Sequence, residues 1–454
     1  MIKIYSKEEA SKTILLRNSL SSENLPQQVK DSINKNFGKD LSPEEAVSMI
    51  ITDVKKRKDL ALTDWTLKLD NVSINQFELK EKDFSKYLRS INPKLRKALE
   101  IAYSRILSFH KSQPITSWVN NDLGGVMGQY ITPIQKIGIY VPGGRCPLFS
   151  SVLMTAIPAI VAGTKEIIFT SPPDSDGKIS PKILAACGMI QKAGVKTRIF
   201  KLGGAQAIAA LAYGTPQVPR VDKICGPGNI FVSIAKKQVF GIVGIDGIYG
   251  PTEAVIIADE SAKPELIASD LLAQAEHDVL AIPILLTHTK DLISRVQEEI
   301  YIQLNQLNRR DVAEKSLKNS GGIIQTNSLE DSIQISNEFA PEHLSLLIKN
   351  PFEAISQIKN AGAVFLGEYS FEVLGDYVAG PSHVMPTNGS ARFSSPLSVI
   401  DFVKAINLIY ITKKESKRLS DYAEILALNE ELIGHANTIV QRKKNEGGSL
   451  DEKK

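Results

Sequence analysis

Apolar and polar positions change their period along this chain, and the change predicts its architecture. Up to about residue 130 the pattern is mostly helical. Ser42-Pro-Glu-Glu45 is a capping box before an apolar-periodic run, and residues 94–110 keep an apolar period of about 3.6 residues. From about residue 131, short β-branched runs alternate with helical stretches. This alternation predicts βαβ units, parallel sheet and right-handed crossovers.

Two series of strands follow one another along the chain. The first comprises predicted strands at 136–141, 166–170, 196–200 and 221–225, with helices at 151–162, 181–193, 205–212 and 230–240. The second comprises predicted strands at 253–258, 282–287, 322–325, 344–348 and 363–366, with helices at 263–277, 290–304 and 327–337. The predicted fold class is therefore α/β, with two Rossmann-like parallel-sheet domains and helical extensions at both ends of the chain.

These boundaries predict four parts of the chain. They are an N-terminal arm at 1–30, a first α/β domain with helices at 31–130 and 241–390, a second α/β domain at 131–240, and a C-terminal helical tail at 391–454. The tail is predicted to be helical from about 399 to 442. From 442 to 454 it is charged and contains Gly and Ser, which predicts disorder.

The composition limits the functions that this chain can have. Its 454 residues predict about three domains, and its 43% hydrophobic and 23% charged residues are ordinary for a soluble globular enzyme. The net charge of +4 is too small and too evenly spread to indicate a nucleic-acid or membrane partner. The first residues lack a signal-peptide pattern, and no apolar run approaches the ~20 residues of a membrane span.

The three cysteines, Cys146, Cys187 and Cys225, predict a reducing, cytoplasmic location. They are odd in number and lack the CxxC spacing of a cysteine zinc site. Cys146 and Cys225 lie in Gly-rich turns, but neither has a neighbouring base in the sequence. A catalytic cysteine is therefore not expected.

Three strands of the first series run directly into glycine-rich turns, at 140–144, 201–206 and 225–229. In an open parallel sheet these turns lie at the carboxyl edge, where ligands bind, and the N-terminus of the following helix favours phosphate. Glycine is common in such turns anyway, but Gln206 and Asn229 stand just after two of them and favour a nucleotide or phosphate ligand. No GxGxxG is present, so a dinucleotide would bind without the usual fingerprint.

Four of the six histidines lie in polar, Gly/Pro-rich or acid-flanked segments: His277, His343, His383 and His435. Histidine binds metals as a neutral base and moves protons near pH 7, so this set indicates chemistry. Gln274 lies three residues before His277 near a predicted helix end, which puts both on one face. Such a pair is more often a solvated helix face than a metal site.

If the pair does bind a metal, other residues must complete the site. Asp376, in a Gly-rich stretch, could supply a carboxylate, and His435 a second imidazole. An amide oxygen, a carboxylate and two imidazoles suit zinc, or a harder divalent ion such as manganese or cobalt.

Glu342 and His343 stand together at a predicted loop-to-strand junction, after a proline. Neighbouring residues cannot share a face of a strand, so the backbone must turn if both reach one ligand, as it does in a catalytic loop. The alternative is a surface Glu beside a half-buried His. Thr252 and His383 are further polar residues in Pro-containing loops.

Taken together, these segments resemble the histidinol dehydrogenase family from about residue 30 to 442. The resemblance rests on nine segments in order, at 140–145, 202–206, 226–229, 250–253, 274–277, 340–343, 375–377, 380–387 and 394–397. The chain departs from the family in two places. Thr252 stands where the family commonly has Ser, and Phe149 replaces a smaller residue or Tyr. Neither departure argues against the activity.

The resemblance implies a zinc-dependent, NAD-linked, four-electron oxidation of L-histidinol to L-histidine through L-histidinaldehyde, the last step of histidine biosynthesis. It implies that His343 is the general base and that Glu342 activates the attacking water. The implied ligands of one zinc per subunit are Gln274, His277, Asp376 and His435. The implied substrate contacts are Thr252, Gln274, His277, His343, Asp376, His383, Glu430 and His435. The implied NAD contacts are Tyr140, Gln206 and Asn229.

The resemblance also implies a domain-swapped homodimer. In such a dimer Glu430 and His435 serve the other subunit's site, and the tail at 391–454 reaches the partner. The domain of 31–130 and 241–390 would be the zinc and substrate side, and 131–240 the NAD side.

The residues alone leave two other functions open. One is a zinc hydrolase in which Glu342 activates a metal-bound water and the Gly-rich domain holds a phosphate. The other is a nucleotide- or metal-binding regulator without turnover. Only the dehydrogenase would reduce NAD when histidinol is added.

Overall fold

The computed structural model describes residues 2–17, 27–38, 41–80, 83–143 and 147–447. Its strands are β1 Ile4–Tyr5, β2 Trp118–Asn120, β3 Gly125–Pro133, β4 Lys136–Tyr140, β5 Glu166–Ser171, β6 Lys196–Lys201, β7 Lys223–Cys225, β8 Gly244–Ile245, β9 Glu253–Ala258, β10 Ile282–Thr287, β11 Gly322–Gln325, β12 His343–Leu347, β13 Ala363–Leu366 and β14 Val403–Ile411.

The α-helices alternate with most of these strands. They are α1 Lys7–Ser11, α2 Gln27–Phe37, α3 Pro43–Arg57, α4 Asp59–Asp70, α5 Ser85–Ser90, α6 Pro93–Lys111, α7 Ser150–Ala162, α8 Pro181–Lys192, α9 Gly204–Tyr213, α10 Ile230–Val239, α11 Pro264–Ala275, α12 Lys290–Leu304, α13 Arg310–Asn319, α14 Leu329–Phe339, α15 Pro351–Ala354, α16 Glu372–Tyr377, α17 Lys413–Asn429 and α18 Ile433–Gly447. None of the helices in these described ranges is long and apolar enough to cross a membrane.

A five-stranded parallel sheet has the strand order β6-β5-β4-β7-β8. Its central strands are almost continuous apolar runs, such as Ile137–Tyr140 and Ile167–Phe169, because helices cover both faces. Helices α5 to α8 pack on one face, and α3, α4, α9 and α10 on the other.

A six-stranded parallel sheet has the order β1-β11-β10-β9-β12-β13. The four interior strands, β9, β10, β11 and β12, are buried along nearly their whole length between two apolar cores. These two sheets confirm the predicted α/β class with two parallel-sheet layers. The strands at 253–258, 282–287 and 322–325 begin and end as predicted.

The helices near the N-terminus pack differently from the predicted domain grouping. Residues 31–130 were expected with 241–390, but Val47, Ile50 and Leu62 pack with Ile168 and Phe200 of the five-stranded sheet. The predicted arm also joins a sheet, since β1 pairs with β11. The apolar period of a helix predicts which of its faces is buried, but it does not predict which sheet that face packs against.

A second compact unit consists of residues 114–133 and the described residues from 403 onward. It contains an antiparallel sheet in the order β14-β3-β2, and a helical hairpin of α17 and α18. The prediction of helix from about 399 was wrong for Val403–Ile411, which pairs with β3 along its whole length. This β-branched run is stabilised by a strand far away in sequence, which a local pattern does not reveal.

Two further parts of the tail prediction concern its ends. Residues 391–402 belong to the first compact unit rather than to the tail. Residues 442–447 continue α18, whereas the rest of the segment predicted to be disordered lies outside the described residues.

Candidate active site

Two neighbouring parallel strands begin side by side and place three polar side chains together. His343 starts β12 opposite Ala254 of β9, so the residues just before each strand, Glu342 and Thr252, are also neighbours. The Thr252 hydroxyl donates to Oε2 of Glu342 at 2.6 Å, and the Glu253 backbone N–H donates to the same oxygen at 3.1 Å. The site therefore forms at the amino edge of the six-stranded sheet.

The backbone turns just before Glu342. Such a turn was expected if Glu342 and His343 are to reach the same ligand. Ala340 ends α14 in the left-handed conformation, with φ at 52°. Gly362 packs so closely below the turn that a Cβ there would lie 2.5 Å from the carbonyl oxygen of Glu342. Both Glu342 and His343 consequently line the same cavity.

That cavity, the site cavity, has a volume of about 210 Å³. Its walls include six of the predicted site residues: Thr252, His277, Glu342, His343, Asp376 and His383. Gln274 lies behind Thr252 and donates from Nε2 to its hydroxyl at 2.8 Å. Seven predicted residues thus come together around one small space.

The charges around His343 are concentrated and buried. Its Nε2 lies 3.7 Å from Oδ1 of Asp376, and its Nδ1 lies 3.7 Å from Glu342 and 3.8 Å from Glu372. Burial by itself would lower the pKa of His343, but the carboxylates of Glu372, Glu342 and Asp376 raise it well above its usual range. A cation beside Asp376 would oppose this protonation.

The carboxyl groups divide into two kinds. Burial raises the pKa of Glu342 to about 7, and it also raises the pKa of Glu372. The pKa of Asp376 is lowered, because burial, which would raise it, is outweighed by the interaction with the nearby His343 imidazole. Asp376 is therefore an anion at neutral pH, whereas Glu342 can both accept and release a proton there.

The donor set around Asp376 fits a divalent metal. Oε1 of Gln274 is buried and has no hydrogen-bond partner within the described ranges, and His277 is close enough to Asp376 to lower the pKa of that carboxyl further. An amide oxygen, an imidazole and a carboxylate suit zinc, manganese or cobalt. Among the described residues no group of three or more His, Cys, Asp or Glu forms a metal site, so these three donors would need a further ligand. The predicted fourth ligand, His435, lies in the second compact unit, as does Glu430, a predicted substrate contact.

His383 is held at both ring nitrogens. Its Nδ1 lies 2.8 Å from the carbonyl oxygen of Asp376, and its Nε2 lies 3.3 Å from the hydroxyl of Ser151. It therefore connects α16 to α7 across the site cavity. Burial lowers its pKa, so it is neutral at pH 7.

A larger cavity of about 490 Å³, the turn cavity, lies at the carboxyl edge of the five-stranded sheet. The glycine-rich turns after β4, β6 and β7 line it, together with Tyr140, Gln206 and Asn229. Gly226 has a φ of 108°, and a Cβ there would lie 2.2 Å from the carbonyl oxygen of Tyr140. Gly144, Arg145 and Cys146 of the first turn lie outside the described residues.

The turn cavity has features that favour a phosphate-bearing ligand. Gly203 precedes α9, and Asn229 caps α10 by accepting from the backbone N–H groups of Phe231 and Val232. Two helix N-termini beside one cavity favour phosphate. Oε1 of Gln206 is buried there, and no described residue forms a hydrogen bond with it.

Sequence reasoning missed Glu372 and Arg17. Glu372 and Asp376 are four residues apart on α16, and that spacing was the available signal that they share a helix face. Arg17 pairs with the buried carboxylate of Glu253 and lies over the ring of Phe339. No local signal joins Arg17 to a strand that starts more than two hundred residues later.

The two described cysteines, Cys187 and Cys225, are buried and free, and burial raises the pKa of both thiols. Neither suits a nucleophile, in line with the expectation from the sequence.

Comparisons with known proteins agree on one family. The family model described as histidinol dehydrogenase matches residues 34–443. The chain is 48% identical to a histidinol dehydrogenase of Caldanaerobacter subterraneus subsp. tengcongensis over 87% of this chain and 91% of that protein. It is 46% identical to one of Dehalococcoides mccartyi over 88% and 91%. The crystal structure of histidinol dehydrogenase from Elizabethkingia anophelis superposes with a TM-score of 0.87 at 35% identity, covering 98% of this chain and 99% of that one.

Proposed function

The chain belongs to the histidinol dehydrogenase family, an oxidoreductase family, and from that premise we propose a specific reaction for it. We propose a zinc-dependent, NAD-linked oxidation of L-histidinol to L-histidine through L-histidinaldehyde. One observation carries this proposal: Leu148 and Pro227 line both the turn cavity and the site cavity. The two cavities therefore adjoin, so the turn cavity would hold a nicotinamide ring next to a substrate bound in the site cavity, as hydride transfer requires.

Gln274, His277 and Asp376 would hold the zinc ion, with His435 of the partner subunit as the proposed fourth ligand. The substrate carries an imidazole and an amine, which are good ligands for such an ion. When bound, zinc supplies a Lewis acid that orients the substrate and polarises its reacting oxygen.

His343 is the proposed base for the protons released in the oxidations. Its Nδ1 lies 3.1 Å from the carbonyl oxygen of Glu253, so Nδ1–H donates to this oxygen in the neutral ring. Nε2, which has no hydrogen-bond partner in the described part of the chain, is then left as the acceptor. When bound, NAD would accept the hydride in each oxidation, and Nε2 of His343 would take the proton from the reacting oxygen. Two molecules of NAD are reduced for each histidinol.

Glu342 is the proposed base for the water that enters between the two oxidations. Both hydrogen bonds that it accepts from the described residues go to Oε2, which leaves Oε1 for a water molecule. With a pKa near 7 the carboxyl can take a proton from that water as it adds to the aldehyde carbon. The resulting hydrate is the substrate of the second hydride transfer.

We further propose that the active form is a domain-swapped homodimer in which Glu430 and His435 complete the partner's site. The second compact unit exposes large apolar side chains, among them Ile409, Tyr410, Tyr422, Leu426 and Ile433. Apolar surface of this extent supports a protein partner.

The test is a reaction of the purified protein with zinc, L-histidinol and NAD at alkaline pH. The absorbance of reduced NAD should rise to two equivalents for each histidinol consumed. A hydrolase or a binding protein would give no reduced NAD, and that outcome would contradict the proposal.

A further inference from the structure

The carboxylate of Asp70 lies in the wall of the turn cavity, and no cationic side chain among the described residues lines that cavity. Asp70 is the last residue of α4, and Asn71 then turns the chain in the left-handed conformation. Within the described residues, its one hydrogen bond comes from Nε2 of Gln206 at 3.4 Å. Burial raises its pKa to about 6, so it is still an anion at pH 7. A largely buried anion without a counter-ion costs stability, so its place in a cavity wall points to a ligand.

Gln206 provides an independent sign of a ligand at the same place. Its side chain is fully buried and lines the turn cavity. Oε1 has no hydrogen-bond partner among the described residues, while Nε2 contacts Asp70. The carboxylate and this amide oxygen are both hydrogen-bond acceptors. They match a ligand that presents adjacent hydroxyl groups, such as the diol of a ribose.

The two ends of the turn cavity differ in their neighbours. Leu148 and Pro227 belong also to the site cavity, so the nicotinamide half of a dinucleotide must lie at their end. Helices α2, α3 and α4 contribute residues that are absent from the site cavity, namely Ile33, Phe37, Ile50, Leu69 and Asp70. An apolar wall of this kind suits an adenine ring, and it places Asp70 with the adenosine half.

We propose that Asp70 accepts hydrogen bonds from the adenosine ribose of NAD and excludes NADP. A carboxylate is a strong acceptor for the 2′-hydroxyl, but a 2′-phosphate at the same place would bring two anions together in a poorly solvated wall. This inference rests on the proposed function, because it requires NAD in the turn cavity. It assigns cofactor selectivity to one residue of the helical layer.

The test measures dissociation constants by isothermal titration calorimetry on the full-length protein. The ligands are NAD, NADP and NAD with a 2′-deoxyadenosine. The wild type should bind NAD at least about tenfold more tightly than either analogue. In Asp70→Asn, NAD should bind about tenfold more weakly, its advantage over NADP should shrink, and the 2′-deoxy analogue should bind almost as well as NAD.

Asp270→Asn is the matched control. Burial raises the pKa of Asp270 to about 6 as well, but Asp270 lines a separate cavity with Lys263 and Phe371. Asp270→Asn should bind all three ligands as tightly as the wild type does. A change seen only in Asp70→Asn would then come from the lost contact with the ligand and not from the loss of a buried charge in general.

The outcomes separate the inference from the proposed function. Tight NAD binding with unchanged affinities in Asp70→Asn would overturn the inference alone. A wild type that binds neither NAD nor NADP at millimolar concentration would overturn both. Even if Asp70→Asn failed to fold, equal affinity of the wild type for NAD and its 2′-deoxy analogue would overturn the inference.

Discussion

Nδ1 of His343 lies 3.1 Å from the carbonyl oxygen of Glu253, on the neighbouring strand of the same sheet. Strand pairing sets this distance, so the tautomer of the proposed base is determined by the register of β9 and β12. The same residue, Glu253, holds Glu342 through its backbone N–H. Arg17 in turn neutralises the Glu253 side chain. One strand start therefore positions both proposed bases.

Variants of the proposed base and of a proposed metal ligand should differ in how much zinc the purified protein retains. We expect His343→Ala to lower turnover by roughly 10²–10⁴-fold with near-normal zinc, because the residue moves protons rather than holding the ion. His277→Ala should lose the zinc itself. Plasma mass spectrometry of the dialysed proteins measures this, and Glu276→Ala is the control because its side chain does not line the site cavity. Full zinc in His277→Ala would show that the ligand assignment is wrong.

Glu342→Gln should stop the reaction between the two oxidations. The amide cannot take a proton from water, so the second oxidation should slow by about 10²-fold or more while the first persists. Reduced NAD should fall from two equivalents toward one per histidinol, and a carbonyl reagent should trap the aldehyde. If both oxidations slowed equally, Glu342 would not be the base for water.

Thr252 joins Glu342 to Gln274 through one hydroxyl, which donates to the first and accepts from the second. Thr252→Val keeps the shape but removes both hydrogen bonds, and we expect kcat/KM to fall about tenfold or more. Thr252→Ser keeps the hydroxyl and should stay within about twofold of the wild type. Equal loss in both variants would indicate that the methyl group, not the hydroxyl, matters.

Mixing two inactive variants tests the shared site. If His277 and His435 serve the same site from different subunits, a dimer of one His277→Ala and one His435→Ala chain has one site with both defects and one intact. After complete exchange of equal amounts, about a quarter of the wild-type activity should return, since half of the dimers are mixed. Native mass spectrometry confirms the exchange. No recovery with mixed dimers present would count against a swapped site.

The buried carboxyl of Asp270 should destabilise the folded state relative to the unfolded chain as the pH rises toward about 6. Burial raises its pKa from 3.8 to about 6, so between these pH values the native state holds a proton that the unfolded chain has lost. The free energy of unfolding should fall as pH rises through this window, by about 3 kcal/mol for this group. Asp270→Asn should therefore be the more stable protein at pH 8 and gain little at pH 4, by urea titration. Equal differences at both pH values would contradict this linkage.

The sequence predicted those strands and helices that follow from the local pattern of apolar and polar residues. The strands of 253–258 and 282–287 are buried on both faces, so their apolar runs and the helices between them identify parallel sheet. The residues of the site cavity came from their types and their family motifs. What could not be predicted depends on contacts between distant segments, such as α3 packing on the five-stranded sheet, β14 pairing with β3, and Arg17 pairing with Glu253.

The pairing of β3 with β14 has a consequence for the chain while it is being made. Pro133 and Val403 are partners in one sheet, although roughly 270 residues separate them, which a ribosome needs about 15–60 s to add. During that interval β3 has only the short β2 at its side and presents an open edge. The second unit is thus the last part of the chain to fold, and chaperone binding to the nascent chain should be strongest near residues 125–133 until β14 has emerged.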